Sequence, residues 1–311
     1  MTYSTANVSG QSASSGALRP APFGRVLAAM VTPFGPDGSL DLDGGAKLAV
    51  TLLERGHDGL VLNGTTGESP TTSPEEKVAL VRAVRAAVGA SVPLLTGVGS
   101  YDTAASVRMA RDAVGAGADG LLLVSPYYSK PTQAGLVAHV RAVADATDLP
   151  IMLYDIPGRT AVPFATETML RLAEHPRVVA VKDAKDDLEA SSLVLAQTDL
   201  AYYSGSDALN LPLLAVGGVG VVSVVSHLVG ERIRDMIAAF GAGDTARARE
   251  LHLGMAPVTQ AVFRIPGVVA TKAALARAGL PAGPVRLPLV EATPEQAEEL
   301  FRALDAAGVV A

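Results

Sequence analysis

Eight short apolar runs, each followed by a stretch with helical character, recur along this chain at intervals of roughly 25–30 residues. The runs fall at 26–32, 59–63, 93–97, 119–124, 150–154, 178–182, 201–204 and 219–223. Their Val, Leu, Ile and Ala content is continuous rather than alternating, which marks strands buried on both faces. The intervening stretches, 41–55, 73–89, 103–116, 132–146, 164–174, 187–197, 207–216 and 228–240, carry ordinary helix punctuation. Ser73-Pro74-Glu75-Glu76 supplies a cap, a proline in the first turn and two acids. Gly115-Ala116-Gly117-Ala118-Asp119-Gly120 marks a helix end and a tight entry to the next strand.

Alternating strands and helices imply a parallel sheet, and eight units close a barrel. The expected fold is therefore α/β, a (β/α)8 TIM barrel. An open doubly wound sheet would want a glycine-rich phosphate loop after its first strand, and Thr32-Pro33-Phe34-Gly35-Pro36 does not provide one. Beyond residue 240 the strand signals stop. Segments 243–264, 267–279 and 293–308 read as helices, the last opened by Thr293-Pro294-Glu295-Gln296. The expected organisation is an N-terminal extension over 1–22, a barrel over 23–242 and a small helical domain over 243–311.

Composition narrows the chemistry. With no cysteine, disulfides, thiolate metal sites and cysteine nucleophiles are excluded. His57, His139, His175, His227 and His252 lack metal-binding spacing. A net charge of −6 argues against a nucleic-acid surface. The longest apolar stretch, around 211–225, is interrupted by Gly217, Gly218 and Gly220 and falls short of a membrane span. The first residues lack both the basic start and the apolar centre of a secretory signal, so a cytoplasmic protein is expected.

In a barrel of this kind the reactive groups gather at the C-terminal ends of the strands. Lys182 ends the sixth run, behind Val178-Val179-Ala180-Val181. Lysine is scarce: Lys47, Lys77, Lys130, Lys185 and Lys272 are the only others, and all five read as polar, turn or helix-surface residues. A lone strand-end lysine ordinarily snorkels to solvent. Held in apolar surroundings, it loses protons more readily and becomes a nucleophile toward carbonyls. Gly64-Thr65-Thr66-Gly67-Glu68-Ser69 follows the second run and can converge hydroxyls and N–H groups on a carboxylate; the plainer reading has one threonine capping the next helix. Tyr154 ends the fifth run as a candidate general acid–base. Arg159, on a Pro-Gly turn, suits a carboxylate. Tyr127-Tyr128 after the fourth run fits either the site or an interface. Asp183, Asp186 and Asp187 fit a helix N-terminus better than a divalent-metal site.

From about Gly24 onward the chain resembles the dihydrodipicolinate synthase / N-acetylneuraminate lyase family of class I aldolases, its dihydrodipicolinate synthase branch in particular. The resemblance is carried by Ala29-Met30-Val31-Thr32-Pro33-Phe34, the block 64–69, Pro126-Tyr127-Tyr128, Tyr154 through Thr160, and Val181-Lys182-Asp183. Thr65 stands where sialic acid lyases usually carry serine. The resemblance implies an imine between Lys182 and pyruvate, with Thr66 binding the pyruvate carboxylate and Val222 contacting pyruvate. It implies a proton relay of Tyr154, Thr65 and Tyr128, the last supplied to a neighbouring subunit. Arg159 would hold the carboxylate of aspartate-4-semialdehyde. No metal or organic cofactor is implied, and the implied assembly is a homotetramer of paired dimers. Two other readings share the same residues: a related pyruvate aldolase acting on sugar acids or sialic acid, and a non-catalytic barrel that only binds. Asp155 departs from the family's usual asparagine. At the positions matching the family's lysine-feedback pocket stand Pro74, Lys77, Tyr101 and Ala105, so weak or absent feedback is expected.

Overall fold

The computed structural model describes residues 18–309. Eight strands, β1 (Val26–Ala29), β2 (Gly59–Leu62), β3 (Leu94–Gly97), β4 (Gly120–Val124), β5 (Ile151–Asp155), β6 (Val178–Asp183), β7 (Ala201–Ser204) and β8 (Gly220–Ser223), pair in parallel and in chain order. The β1–β8 pairing closes the barrel. The helices are α1 (Leu42–Glu54), α2 (Pro74–Val88), α3 (Thr103–Ala116), α4 (Gln133–Ala144), the single turn α5 (Pro157–Thr160), α6 (Thr166–Ala173), α7 (Leu188–Leu195), α8 (Asn210–Ala215) and α9 (Ser226–Gly241). Three more follow: α10 (Thr245–Val262), α11 (Gly267–Arg277) and α12 (Pro294–Ala306). The closed (β/α)8 barrel with C-terminal helices is the architecture expected from the alternation. No single helix among the described residues is long and apolar enough to cross a membrane.

Strand alternation sorts the side chains into two cores. Leu27, Val61, Leu95, Leu122, Met152, Ala180, Tyr203 and Val222 point into the barrel and fill it. Their outward neighbours, such as Ala28, Leu60, Leu94, Leu121, Leu153 and Val181, pack beneath the helices. That double burial is why the strands read as unbroken apolar runs. Each fully buried leucine contributes about 1.5–3 kcal/mol. Local signals set the boundaries. Ser73 and Glu76 form the expected capping box of α2, and Thr293 with Gln296 forms that of α12.

Three details depart from expectation. The first strand stops at Ala29 rather than running to 32, because the Val31 N–H turns to Nε2 of His227 and Thr32 Oγ1 donates to the Gly67 carbonyl at 2.7 Å. The expected helix over 207–216 is split into a 3-10 turn over Asp207–Leu209 and α8, since the Asp207 side chain is drawn away to the β8 end. Lys272 is not on a helix surface but buried, 3% exposed. Most of the expected N-terminal extension lies outside the described residues. Its last part is placed: Arg19 donates to the Thr198 carbonyl at 2.9 Å, and Leu18 packs near Gly241.

Candidate active site

Parity in the barrel decides which side chains meet. Tyr154 and Lys182 are register partners on β5 and β6, so both point inward in one layer; Asp155 and Asp183, one residue on, both point outward. Lys182 is 4% exposed, and its Nζ lies 4.3 Å from the centre of the Tyr154 ring. Burial pulls the ammonium down to about 8; Asp207 pushes it back up, and Arg159 pulls it further down. Burial likewise drives the Tyr154 phenol up to about 12, with Arg159 and a hydrogen bond to Thr65 opposing. A lysine able to shed its proton thus faces a phenol that keeps its own.

The loop after β2 supplies the hydroxyls. Asn63 adopts φ +55 and donates from Nδ2 to Thr96 Oγ1 at 2.8 Å, turning the chain inward. The Glu68 N–H returns to the Thr65 carbonyl at 3.1 Å, and the Ser69 N–H to Gly64 at 3.2 Å. Neither threonine caps α2, because Ser73 does. Thr65, Tyr154, Tyr127 and Arg159 line a cavity of about 230 Å³. Thr65, Thr66 and Arg159 line an adjoining one of about 240 Å³. A wider cleft of about 810 Å³ opens between the barrel mouth and α10, lined by Arg159, Asp207, Asn210 and His252 among others. Arg159 therefore borders all three spaces, from its place on α5.

Of the residues singled out in the sequence, Lys182, Tyr154, Thr65, Thr66 and Arg159 converge at one end of the barrel. Val222 is fully buried in the inward-facing core of β8. Tyr128 does not join its own chain's cavity. It is 91% exposed, at φ +71, a left-handed conformation that is strained for a tyrosine. Tyr127 lines the cavity instead, edge-on to Tyr101 with ring centres 5.4 Å apart. Asp187 caps α7 by accepting from the Ala190 N–H at 3.0 Å, and Asp183 accepts from the Ser191 hydroxyl and the Lys185 N–H. Among the described residues no group of histidines and acids is arranged to hold a metal ion. Asp155 is buried outside the barrel, where the Phe164 N–H donates to it at 3.3 Å and Lys185 lies 3.9 Å away; burial pushes its carboxyl up to about 7.

Two residues of the site escaped sequence reasoning. Gly205 leaves the space in which Lys182 lies: a Cβ there would stand 2.9 Å from Lys182 Cγ and 3.0 Å from Cε. Asp207, fully buried, accepts from the Ser223 hydroxyl, the Val224 and Val225 N–H groups at 3.0 and 3.1 Å, and Asn210 Nδ2 at 3.3 Å. The available signal was an acid just past the seventh strand, in Ser204-Gly205-Ser206-Asp207, at the reactive end of the barrel.

A closed (β/α)8 barrel that buries a deprotonatable lysine at a strand end, against a tyrosine–threonine pair, defines a Schiff-base-forming enzyme of the class I aldolase type. Residues 22–307 match the dihydrodipicolinate synthetase family, and the chain belongs to that family. A protein of Acidothermus cellulolyticus named 4-hydroxy-tetrahydrodipicolinate synthase is 61% identical over 291 residues, 94% of each chain. One from Streptomyces coelicolor, named 4-hydroxy-tetrahydrodipicolinate synthase 2, is 58% identical over 288 residues, 93% of this chain and 96% of that one. The crystal structure of DHDPS from Cyanidioschyzon merolae with lysine bound aligns with a TM-score of 0.91 at 42% identity, covering 93% of this chain and 99% of that one.

Proposed function

We propose that the chain condenses pyruvate with aspartate-4-semialdehyde to form 4-hydroxy-tetrahydrodipicolinate, the step named by its relatives, in the cytoplasm. The observation that carries the reading is the buried Lys182 amine, lowered to about 8 and set 4.3 Å from the Tyr154 ring. The neutral amine attacks the pyruvate ketone. Water leaves, and the lysine becomes an iminium that draws electrons from the neighbouring methyl. Loss of a methyl proton gives an enamine, whose carbon adds to the aldehyde. The new alkoxide takes a proton, and the amino group of the second substrate then displaces Lys182 as the ring closes.

Each proton transfer in this sequence needs a carrier inside a site that admits little water. Tyr154, hydrogen-bonded to Thr65, is that carrier: burial keeps its phenol protonated at neutral pH, and an alkoxide is a strong enough base to take that proton. Thr66 and the N–H groups of its loop hold the pyruvate carboxylate. Val222 contacts pyruvate from β8. Arg159, at the junction of the three spaces, takes the carboxylate of the semialdehyde. Tyr128 completes the relay of a neighbouring subunit within a homotetramer of paired dimers; its exposed phenol on a strained backbone supports that role, since strain persists where function holds it. The chemistry needs neither metal nor organic cofactor, because the imine itself is the electron sink.

The test is reduction with borohydride in the presence of pyruvate, followed by peptide mapping. A reduced pyruvate adduct on Lys182 is expected. Absence of an adduct, or one on another lysine, removes the central step.

A further inference from the structure

We propose that the buried ion pair between Lys272 and Glu68 is a positioning device, through which α11 sets where Thr65 and Thr66 stand. It rests on the pyruvate reading of the site. Glu68 belongs to the threonine loop itself, and its N–H closes the turn onto the Thr65 carbonyl. It holds φ +54, a left-handed conformation that a residue with a side chain keeps only when its surroundings impose it.

The surroundings do impose it. Glu68 Oε1 lies 2.7 Å from Lys272 Nζ, with the two side chains 1% and 3% exposed. Its other oxygen accepts the backbone N–H of Arg286 at 2.8 Å. Lys272 is fixed in turn, donating to the Pro284 carbonyl at 2.7 Å and lying 4.2 Å over the Phe34 ring. The Arg286 guanidinium lies on that ring at 4.1 Å, grips Glu76 with two bonds of 2.8 and 2.6 Å, and donates to the Thr71 and Gly38 carbonyls. At Gly283, φ +65, a Cβ would meet the Phe34 carbonyl at 1.7 Å, so the segment ahead of Arg286 lies directly on the β1 loop. Loops after β1 and β2, the start of α2 and the C-terminal region are thereby bound together through two charged pairs, Lys272–Glu68 and Arg286–Glu76.

A buried pair of this kind adds little net stability compared with apolar residues of the same size. What it supplies is direction: the carboxylate is held at both oxygens, so the loop bearing Thr65 and Thr66 is held at one angle. Misplacement of a positioning group by about 1 Å can cost about 10²-fold.

The test compares wild type, Lys272→Met and the neutral pair Glu68→Gln/Lys272→Met, reading pyruvate-dependent borohydride trapping on Lys182, the KM for each substrate and the melting midpoint. Lys272→Met strands a buried carboxylate and is open to misfolding; the double variant removes both charges while the glutamine oxygen still accepts from Arg286. The expected result is a folded double variant whose pyruvate KM and half-trapping concentration rise between about 10- and 100-fold, with the semialdehyde KM unchanged. A folded double variant that traps pyruvate like wild type overturns the proposal. So does one in which kcat and both KM values move together with the melting midpoint. Wild-type protein that traps no pyruvate overturns the underlying reading, and the proposal with it.

Discussion

Raising the pH across 6–10 is the most direct probe of Lys182. With its ammonium lowered from 10.5 to about 8, about one amine in ten is free at pH 7, against roughly one in 3,000 for an ordinary lysine. Burial thus raises the nucleophile about 300-fold at neutral pH. The rate of imine formation at subsaturating pyruvate, quenched with borohydride at timed intervals, is expected to climb tenfold per pH unit and level off near pH 8. Tyr154, held near 12, does not intrude on that range. A climb that continues unbroken through pH 10 refutes the argument, since it describes an amine that burial has not touched. The same shift has a cost in stability. The unfolded chain keeps this proton up to about 10.5 and the fold releases it near 8, so between those values the unfolded state binds more protons and stability rises with pH. Below 8 the fold carries the full penalty, about 3 kcal/mol at about 1.36 kcal/mol per unit. Lys182→Met should therefore abolish trapping yet raise the melting midpoint by several degrees at pH 7; a lowered midpoint would contradict the desolvation account.

Other outcomes follow from the same geometry. Tyr154→Phe is expected to lower kcat by about 10²–10⁴-fold through loss of the proton carrier, while the pyruvate adduct still accumulates on Lys182; unaltered turnover would dismiss Tyr154 from the relay. Arg159→Ala should raise the semialdehyde KM by about 10–100-fold, the value of a charge-assisted contact, and move the pH break upward, because Arg159 pulls the Lys182 ammonium down; if neither changes, another aldehyde is the acceptor. Free lysine should leave steady-state rates within about twofold, since the Lys77 ammonium would repel a second ammonium placed beside it. Lys77 donates to Ser69, to the Thr72 carbonyl and to Thr72 Oγ1 at 2.8, 2.5 and 2.9 Å, and inhibition at physiological lysine levels would show that these bonds yield.

The barrel was legible because its signal is collective. Each run is only four to six residues long in the structure, as at Gly59–Leu62 or Val178–Asp183, yet eight of them at regular spacing admit one closure. Site residues on strands or tight turns were legible for the same reason: alternation fixes Tyr154 and Lys182 inward once the strands are placed. What stayed hidden depends on contacts between distant segments. Gly205 matters only because a lysine 23 positions earlier lies where its Cβ would be. Glu68 and Lys272, 204 residues apart, meet by the folding of α11 onto the barrel mouth, and nothing local to either residue announces it.

That pair also explains why burial alone does not identify the nucleophile. Lys182 and Lys272 are 4% and 3% exposed, and burial pulls both ammonium groups down. Lys272 has a carboxylate at 2.7 Å and a carbonyl at 2.7 Å, so removing its proton would strand a buried Glu68 charge; these contacts favour its ammonium form against burial, and it works as a strut. Lys182 takes part in none of the ion pairs among the described residues. The acid that acts on it, Asp207, already accepts from Ser223, Val224, Val225 and Asn210. Burial pushes the Asp207 carboxyl up and those bonds oppose it, favouring its charged form and holding it to the β8 end, so it acts on Lys182 as a field rather than as a hydrogen bond. Such a field keeps the amine from losing its proton altogether without locking it as a cation. Moving a carboxylate into contact with Lys182 would turn it into a second strut; burial, with no carboxylate in ion-pair contact among the described residues, is what leaves this lysine reactive.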